Sequence, residues 1–358
     1  MLFEPLATPS LQLANRIVMA PMTRNRAIDA NTPNALMAEY YGQRATAGLI
    51  ITEGTSPSPN GLGYARIPGL FNDAQVRGWK PVVDAVHANG GKVFVQLMHT
   101  GRVSHLANLP AGAQVLGPTA EVCPGEMYTD SQGMQAHSPP REMSTADIDR
   151  TVAEYAASAR LAVEAGFDGI ELHAANGYLI EQFLNANVNR RTDSYGAGIE
   201  DRNRFALAIA RATAAAIGAH RVGIRLSPYG VFNSTGGFAD VEVQYLALTQ
   251  QLSDLGLLYL HVLDHSAMCA PAVPAELKSR LRAAFQGLFI LAGGFDRTSA
   301  ERALQAGQAD LIAFARPFLA NPDLVARMQS DAPLNAVDAQ TFYAPGAKGY
   351  TDYPALAA

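Results

Sequence analysis

The run Arg16-Ile17-Val18-Met19-Ala20-Pro21-Met22-Thr23 reads as a buried strand followed by its exit, and the exit decides the fold class. An open, doubly wound α/β sheet normally leaves its first strand through G-x-G-x-x-G, because those glycines let the backbone approach a pyrophosphate. This exit contains no glycine. The first run spans 16–21, and further β-branched or Leu-rich runs follow at 48–54, 92–99, 166–173, 221–227, 257–263, 288–293 and 310–315. Segments of helical period follow them in turn, at 32–47, 73–89, 145–165, 202–218, 240–256, 274–287, 298–307 and 322–329. Several of these stop on glycine, at Gly218, Gly256, Gly287 and Gly307, the usual C-terminal stop. Ser144 or Thr145 caps the helix predicted at 145–165, with Asp147 close behind. Such alternation with no break in composition predicts one α/β domain over 1–358, a closed (β/α)8 TIM barrel. Residues 100–143, rich in Pro, Gly and Ser, interrupt the alternation after the third strand. A loop of that length on the C-terminal side of a barrel predicts a capping insertion.

Side chains alternate between the two faces of a strand, so apolar positions identify the helix-packed face and the rest point into the barrel. Val93, Val95 and Leu97 then face outward, and Phe94, Gln96 and Met98 inward. Glu171, His173 and Arg225 are inward by the same rule. In the first strand Ile17, Met19, Pro21 and Thr23 share a face, which is assigned inward. Thr23, Gln96, His173 and Arg225 therefore end their strands at the C-terminal mouth, where barrels place catalytic groups. A buried arginine needs a partner. A ligand edge that accepts hydrogen bonds and develops negative charge would satisfy Arg225, and so would an internal pair with Glu171.

Two further groups fall at the same end. Gly293-Gly294 follows the seventh strand and Ala315-Arg316 the eighth, where barrels often bind phosphate through backbone N–H groups. His173, Asn176 and Tyr178 follow the fourth strand. The first two can donate to one oxygen, and the phenol can give up a proton.

Composition excludes other classes. A net charge of −5 argues against a nucleic-acid partner. No apolar run reaches the roughly 18 residues of a membrane span. The opening Met-Leu-Phe-Glu-Pro has neither the basic nor the apolar region of a signal peptide, and Cys123 and Cys269 are the only cysteines. These features predict a cytoplasmic protein in a reducing compartment.

The motifs Asn15-Arg16-Ile17-Val18-Met19-Ala20-Pro21-Met22-Thr23-Arg24, Gly169-Ile170-Glu171-Leu172-His173-Ala174-Ala175-Asn176-Gly177-Tyr178 and Asn189-Arg190-Arg191-Thr192-Asp193-Ser194-Tyr195-Gly196 are specific in combination. With Ala292-Gly293-Gly294-Phe295 and the final Gly349-Tyr350-Thr351-Asp352-Tyr353-Pro354, the chain resembles the Old Yellow Enzyme family of FMN-dependent ene-reductases over essentially its whole length. The likeness is greatest to the pentaerythritol tetranitrate reductase and N-ethylmaleimide reductase-like members. The resemblance implies FMN over the strand ends, reduced by NADPH or NADH in the same pocket. Pro21, Met22, Thr23 and Gly54 would then line the flavin ring, Gln96 and Arg225 its pyrimidine edge, and Gly293, Gly294, Ala315 and Arg316 its phosphate. His173 and Asn176 would bind the oxygen of an enone, maleimide or nitro compound, and Tyr178 would protonate the α-carbon after hydride transfer from flavin N5. Tyr64, Met98 and Tyr343 would complete the substrate pocket. Two departures stand out: Met98 occupies a position where many relatives have Trp, and Ala315 one where many have Gly. The enzyme would act as a monomer or homodimer on small molecules.

Two rival readings use the same mouth. A metal-dependent barrel hydrolase would draw ligands from His99, His105, His173, His261, Asp264 and His265, although the first strand offers neither a His-x-His pair nor an acid. A ligand-binding barrel without catalysis would have no use for Tyr178 beside the His173–Asn176 pair.

Overall fold

The predicted runs form strands that close on themselves. A computed structural model describes residues 1–356. Its barrel strands are β1 (Ile17–Met19), β2 (Leu49–Thr55), β3 (Val93–Leu97), β4 (Gly169–Ala174), β5 (Val222–Leu226), β6 (Tyr259–Leu263), β7 (Leu288–Ala292) and β8 (Leu311–Phe314). Each pairs in parallel with its neighbours in sequence, and β8 pairs with β1 to close the ring. The intervening helices are α1 (Ala35–Gly42), α2 (Asp73–Ala88), α3 (Thr145–Ala165), α4 (Ile199–Ile217), α5 (Val241–Asp254), α6 (Ala275–Ala284), α7 (Arg297–Gln305) and α8 (Leu324–Ser330). The expected (β/α)8 barrel is the observed one.

Local chemistry fixes the ends of these elements. α3 keeps its predicted bounds because both termini are written into the chain. Ser144 and Asp147 cap each other's backbone at its start, and Gly166 adopts φ 98° at its end. α1 is shorter than predicted. Asn34 accepts from Met37 N–H and starts the helix there, so Thr32 and Pro33 remain outside it.

Two apolar layers build the walls. Ile17, Met19, Val93, Val95, Leu97, Ile170, Leu172, Val222 and Ile224 pack outward against the helices. Val18, Ala20, Leu49, Ile51, Phe94, Tyr259 and Ile290 fill the interior. This corrects the expected facing of the first strand: Val18 and Ala20 point inward, and Ile17 and Met19 outward. Thr23 is no guide to that facing, because β1 stops at Met19. Ala20 N–H still reaches Phe314 O at 2.9 Å, but Pro21 has no N–H to continue the ladder. Thr23 therefore gets to the mouth along a loop, and not by strand alternation.

The 100–143 segment carries an antiparallel hairpin, Glu126–Thr129 against Gly133–Ala136. Its base is closed by a short parallel pairing of Leu116–Gly117 with Arg141–Glu142. Among the described residues, no helix is long and apolar enough to cross a membrane.

Candidate active site

Two joined chambers open at the C-terminal ends of the strands. The inner one, about 400 Å³, is walled by Pro21, Met22, Thr23, Gln96, His173, Asn176, Arg225, Ala315 and Arg316, among others. The outer one, about 750 Å³, lies under the hairpin, with Tyr128, Met134 and His137 in its wall. Thr23, Tyr64, Tyr178, Asn233 and Tyr343 border both chambers. The C-terminal segment returns to supply Tyr343, and it is tied down by two buried arginines. Arg24 Nε and Arg26 Nη1 donate to Phe342 O at 3.1 and 2.7 Å.

The inner chamber's polar floor is built from neighbouring strands. Glu171 accepts from Gln96 Nε2 at 2.8 Å and sits 2.8 Å from His261 Nδ1. Burial pushes the Glu171 carboxyl up, but His261, Arg225 and Gln96 outweigh it and hold the group below its ordinary value. Arg225 is paired in register with His173 and His261 on the strands either side. It makes no ion pair with Glu171, and its buried Nε has no partner. The internal pair considered as the alternative therefore does not form. The floor presents a spare guanidinium donor beside Gln96, whose amide oxygen is left as an acceptor because its nitrogen is committed to Glu171. The pyrimidine edge of a flavin offers the complement, a ring N–H for the glutamine oxygen and a carbonyl for the arginine.

Above that floor stand the other inward groups. His173 is neutral: burial, and then the charge of Arg225, push its pKa well below 6.5. Its Nδ1 and the Oδ1 of Asn176 are both buried without partners. Tyr178 lies edge-on to the His173 ring, with centroids 5.0 Å apart, and donates to Tyr64 Oη at 3.1 Å. Burial pushes the Tyr178 phenol up to about 12. The three groups of the sequence motif are thus brought to one wall.

Other expected residues are placed differently. Met98 is not on a chamber wall. It packs with Leu62 and Ile67 beneath Tyr64 and Tyr178, and onto Gly54, where an added Cβ would stand 2.5 Å from Met98 Sδ. Met98 therefore supports the wall from behind, a correction to its expected contact with substrate. Gly293 and Gly294 adopt φ 133° and 70°, and side chains there would meet Asp264 O at 2.2 Å and Ala267 Cβ at 2.6 Å. Contact with the loop after β6 alone is enough to require these glycines. Arg316 is exposed on the chamber rim, 3.6 Å from Met268 Sδ. Among the described residues, no group of His, Cys, Asp or Glu could hold a metal ion, so the hydrolase ligand set does not assemble.

Some site residues escaped the reading of the sequence. Phe232, Asn233 and Phe342 line the chambers from irregular loops, where no periodicity marks them. His261 is marked in the sequence by its alternation with Leu260 and Val262, but it serves the floor through Glu171 and not as a metal ligand.

A barrel mouth whose hydrogen-bonding floor complements a flavin edge fits the class of FMN-binding oxidoreductases. Residues 1–335 match the NADH:flavin oxidoreductase / NADH oxidase family, and the chain belongs to that family, within the Old Yellow Enzyme group of ene-reductases that reduce activated C=C bonds. It is 42% identical to 12-oxophytodienoate reductase 1 of Oryza sativa subsp. japonica, an alignment covering 98% of this chain and 93% of the relative. Among solved structures it is similar to morphinone reductase in complex with tetrahydroNAD, with a TM-score of 0.94, 43% identity, and 99% and 98% of the two chains covered. The Old Yellow Enzyme homologue from Zymomonas mobilis matches with a TM-score of 0.94, 38% identity and 99% of each chain covered.

Proposed function

We propose that this chain acts as one domain, 1–358 with 100–143 as its cap, and reduces the C=C bond of α,β-unsaturated carbonyl compounds and maleimides. Ala357 and Ala358 lie outside the described residues. NADPH or NADH provides the reducing equivalents, and nitroesters and nitroaromatics are further acceptors. Morphinone reductase in complex with tetrahydroNAD supports a nicotinamide reductant. The enzyme works in the cytoplasm as a monomer or homodimer.

Bound FMN supplies the hydride. Thr23, Gln96 and Arg225, with the backbone of Pro21, Met22 and Gly54, hold its ring, and Gly293, Gly294, Ala315 and Arg316 hold its phosphate. His173 and Asn176 donate to the substrate oxygen and draw electron density from the β-carbon. A neutral imidazole suits this task, because it polarises without competing for the proton. Tyr178 keeps its proton at neutral pH and delivers it to the α-carbon. To do so its hydroxyl turns from Tyr64, which then donates back and steadies the developing phenolate. Tyr64 and Tyr343 wall the substrate, and Met98 backs Tyr64.

The observation that carries this reading is His173, whose buried Nδ1 has no partner, sharing one chamber with the Asn176 amide and a high-pKa phenol. Purified holoenzyme incubated anaerobically with NADPH and 2-cyclohexen-1-one should consume them one for one and yield cyclohexanone. Asn176→Ala should raise KM for the enone by about tenfold, the loss of one charge-polarising hydrogen bond. No cyclohexanone, or an unchanged KM, would count against the assignment.

A further inference from the structure

The turn that carries Asn176 and Tyr178 is conformationally expensive. Asn176 adopts φ 60° and Gly177 φ 74°, two left-handed residues in succession. Its backbone groups are nonetheless fully engaged. Asn176 N–H donates to Ser227 Oγ at 3.0 Å, and Asn176 O accepts from Asn233 Nδ2 at 2.7 Å. Gly177 N–H donates to Glu181 Oε2 at 2.6 Å, and Gly177 O accepts from Gln182 Nε2 at 2.7 Å.

Glu181 is the hub of this arrangement. Its side chain is 1% exposed, and no ion pair neutralises it. The carboxylate accepts from Gly177 N–H, from Ser227 Oγ at 3.0 and 3.1 Å, and from Tyr245 Oη at 3.2 Å. Ser227 in turn accepts from Asn176 N–H, so one carboxylate fixes both N–H groups of the turn, one directly and one through a hydroxyl. Burying an unpaired carboxylate is costly, and burial pushes this carboxyl up to about 7.

We propose that Glu181 is a positioning residue for alkene reduction, acting through Ser227 and Gly177 to aim Asn176 at the substrate oxygen and Tyr178 at the α-carbon. This rests on the reading of Asn176 and Tyr178 as substrate-facing groups. An amide at position 181 keeps an oxygen for Gly177 but turns a donor toward Ser227 and Tyr245. Glu181→Gln is therefore a partial replacement, and Glu181→Ala a complete removal.

The test uses holoenzyme, with stopped-flow oxidation of the reduced protein by 2-cyclohexen-1-one and hydrogen exchange of the peptide spanning 175–182. Glu181→Ala should slow enone reduction roughly ten- to a hundredfold, as small misplacements of reacting groups do. It should also speed exchange of that peptide, with FMN content retained, and Glu181→Gln should recover most of the rate. In an Asn176→Ala/Tyr178→Phe background, Glu181→Ala should add less than about twofold, because groups acting through the same contact are not additive. Ser227→Ala, which removes the bridge and keeps the carboxylate, carries the same test where Glu181→Ala gives no folded holoenzyme. Unchanged rates and exchange in these variants, or an undiminished effect in the double-variant background, would overturn the proposal. If Asn176→Ala/Tyr178→Phe itself left the rate unchanged, the underlying reading of the turn would fall, and this inference with it.

Discussion

His173 and Tyr178 have their proton affinities moved in opposite directions by the same burial. The imidazole falls well below its ordinary 6.5, and the phenol rises to about 12. One therefore stays neutral, and the other protonated, across the physiological range. The pH profile of enone reduction by the reduced enzyme should show no limb near 10, the ordinary value of a tyrosine phenol. A limb with an apparent pKa near 10 would contradict the environment of Tyr178. Arg225 makes a separate prediction. Its Nε lacks a partner, so Arg225→Ala should weaken FMN retention by at least about tenfold, measured by flavin release on dilution, as truncating a buried charge–ligand contact does. Unaltered retention would return Arg225 to a structural role. Residue placement was legible where strands are regular: Gln96, His173 and Arg225 follow directly from alternation. The facing of the first strand was not legible, because β1 stops before Thr23, and neither was the packing of Met98, because its neighbours Leu62 and Ile67 lie in a loop distant in the chain.

Elements are set by their ends and by volume inside the ring. Asp147 accepts from Ser144 N–H and Oγ and pairs with Arg141 and Arg150 at the start of α3. These contacts, the Arg141 bond foremost and burial opposing, hold its carboxyl far below the usual range. A depressed carboxylate stabilises the fold above its unfolded value of 3.8 and loses that contribution as pH falls below it. Asp147→Asn should accordingly cost about 1 kcal/mol at pH 7, and the gap in melting temperature from wild type should close under acid. An equal gap at all pH values would show that charge is not the cause. Within the barrel, Gly223 leaves room for the Tyr259 ring, whose Cζ would lie 2.1 Å from an added Cβ. Gly223→Ala should destabilise by about 1–3 kcal/mol in denaturant unfolding. A neutral effect would mean that the interior layer repacks freely. Capping residues make helix ends readable, as α3 shows. The hairpin within 100–143 was legible only as an insertion, since its short strands carry little apolar alternation.

At the scale of the whole molecule, closure of the barrel gathers residues from separate strands and loops onto one chamber. β3, β4 and β5 deliver the floor and the His173–Asn176 wall, the exits of β1 and β8 bound the opposite side, and the hairpin and C-terminal segment roof it. The absence of glycine after the first strand fits the proposed plan, in which the reductant would use the same mouth and need no separate nucleotide-binding domain. The account's central claim is that Tyr178 is the proton donor in that shared chamber. Anaerobic single-turnover oxidation of reduced Tyr178→Phe holoenzyme by 2-cyclohexen-1-one tests it most directly. The predicted result is a rate lower by roughly a hundredfold, with flavin reduction by NADPH near normal. An enone rate equal to wild type would contradict it.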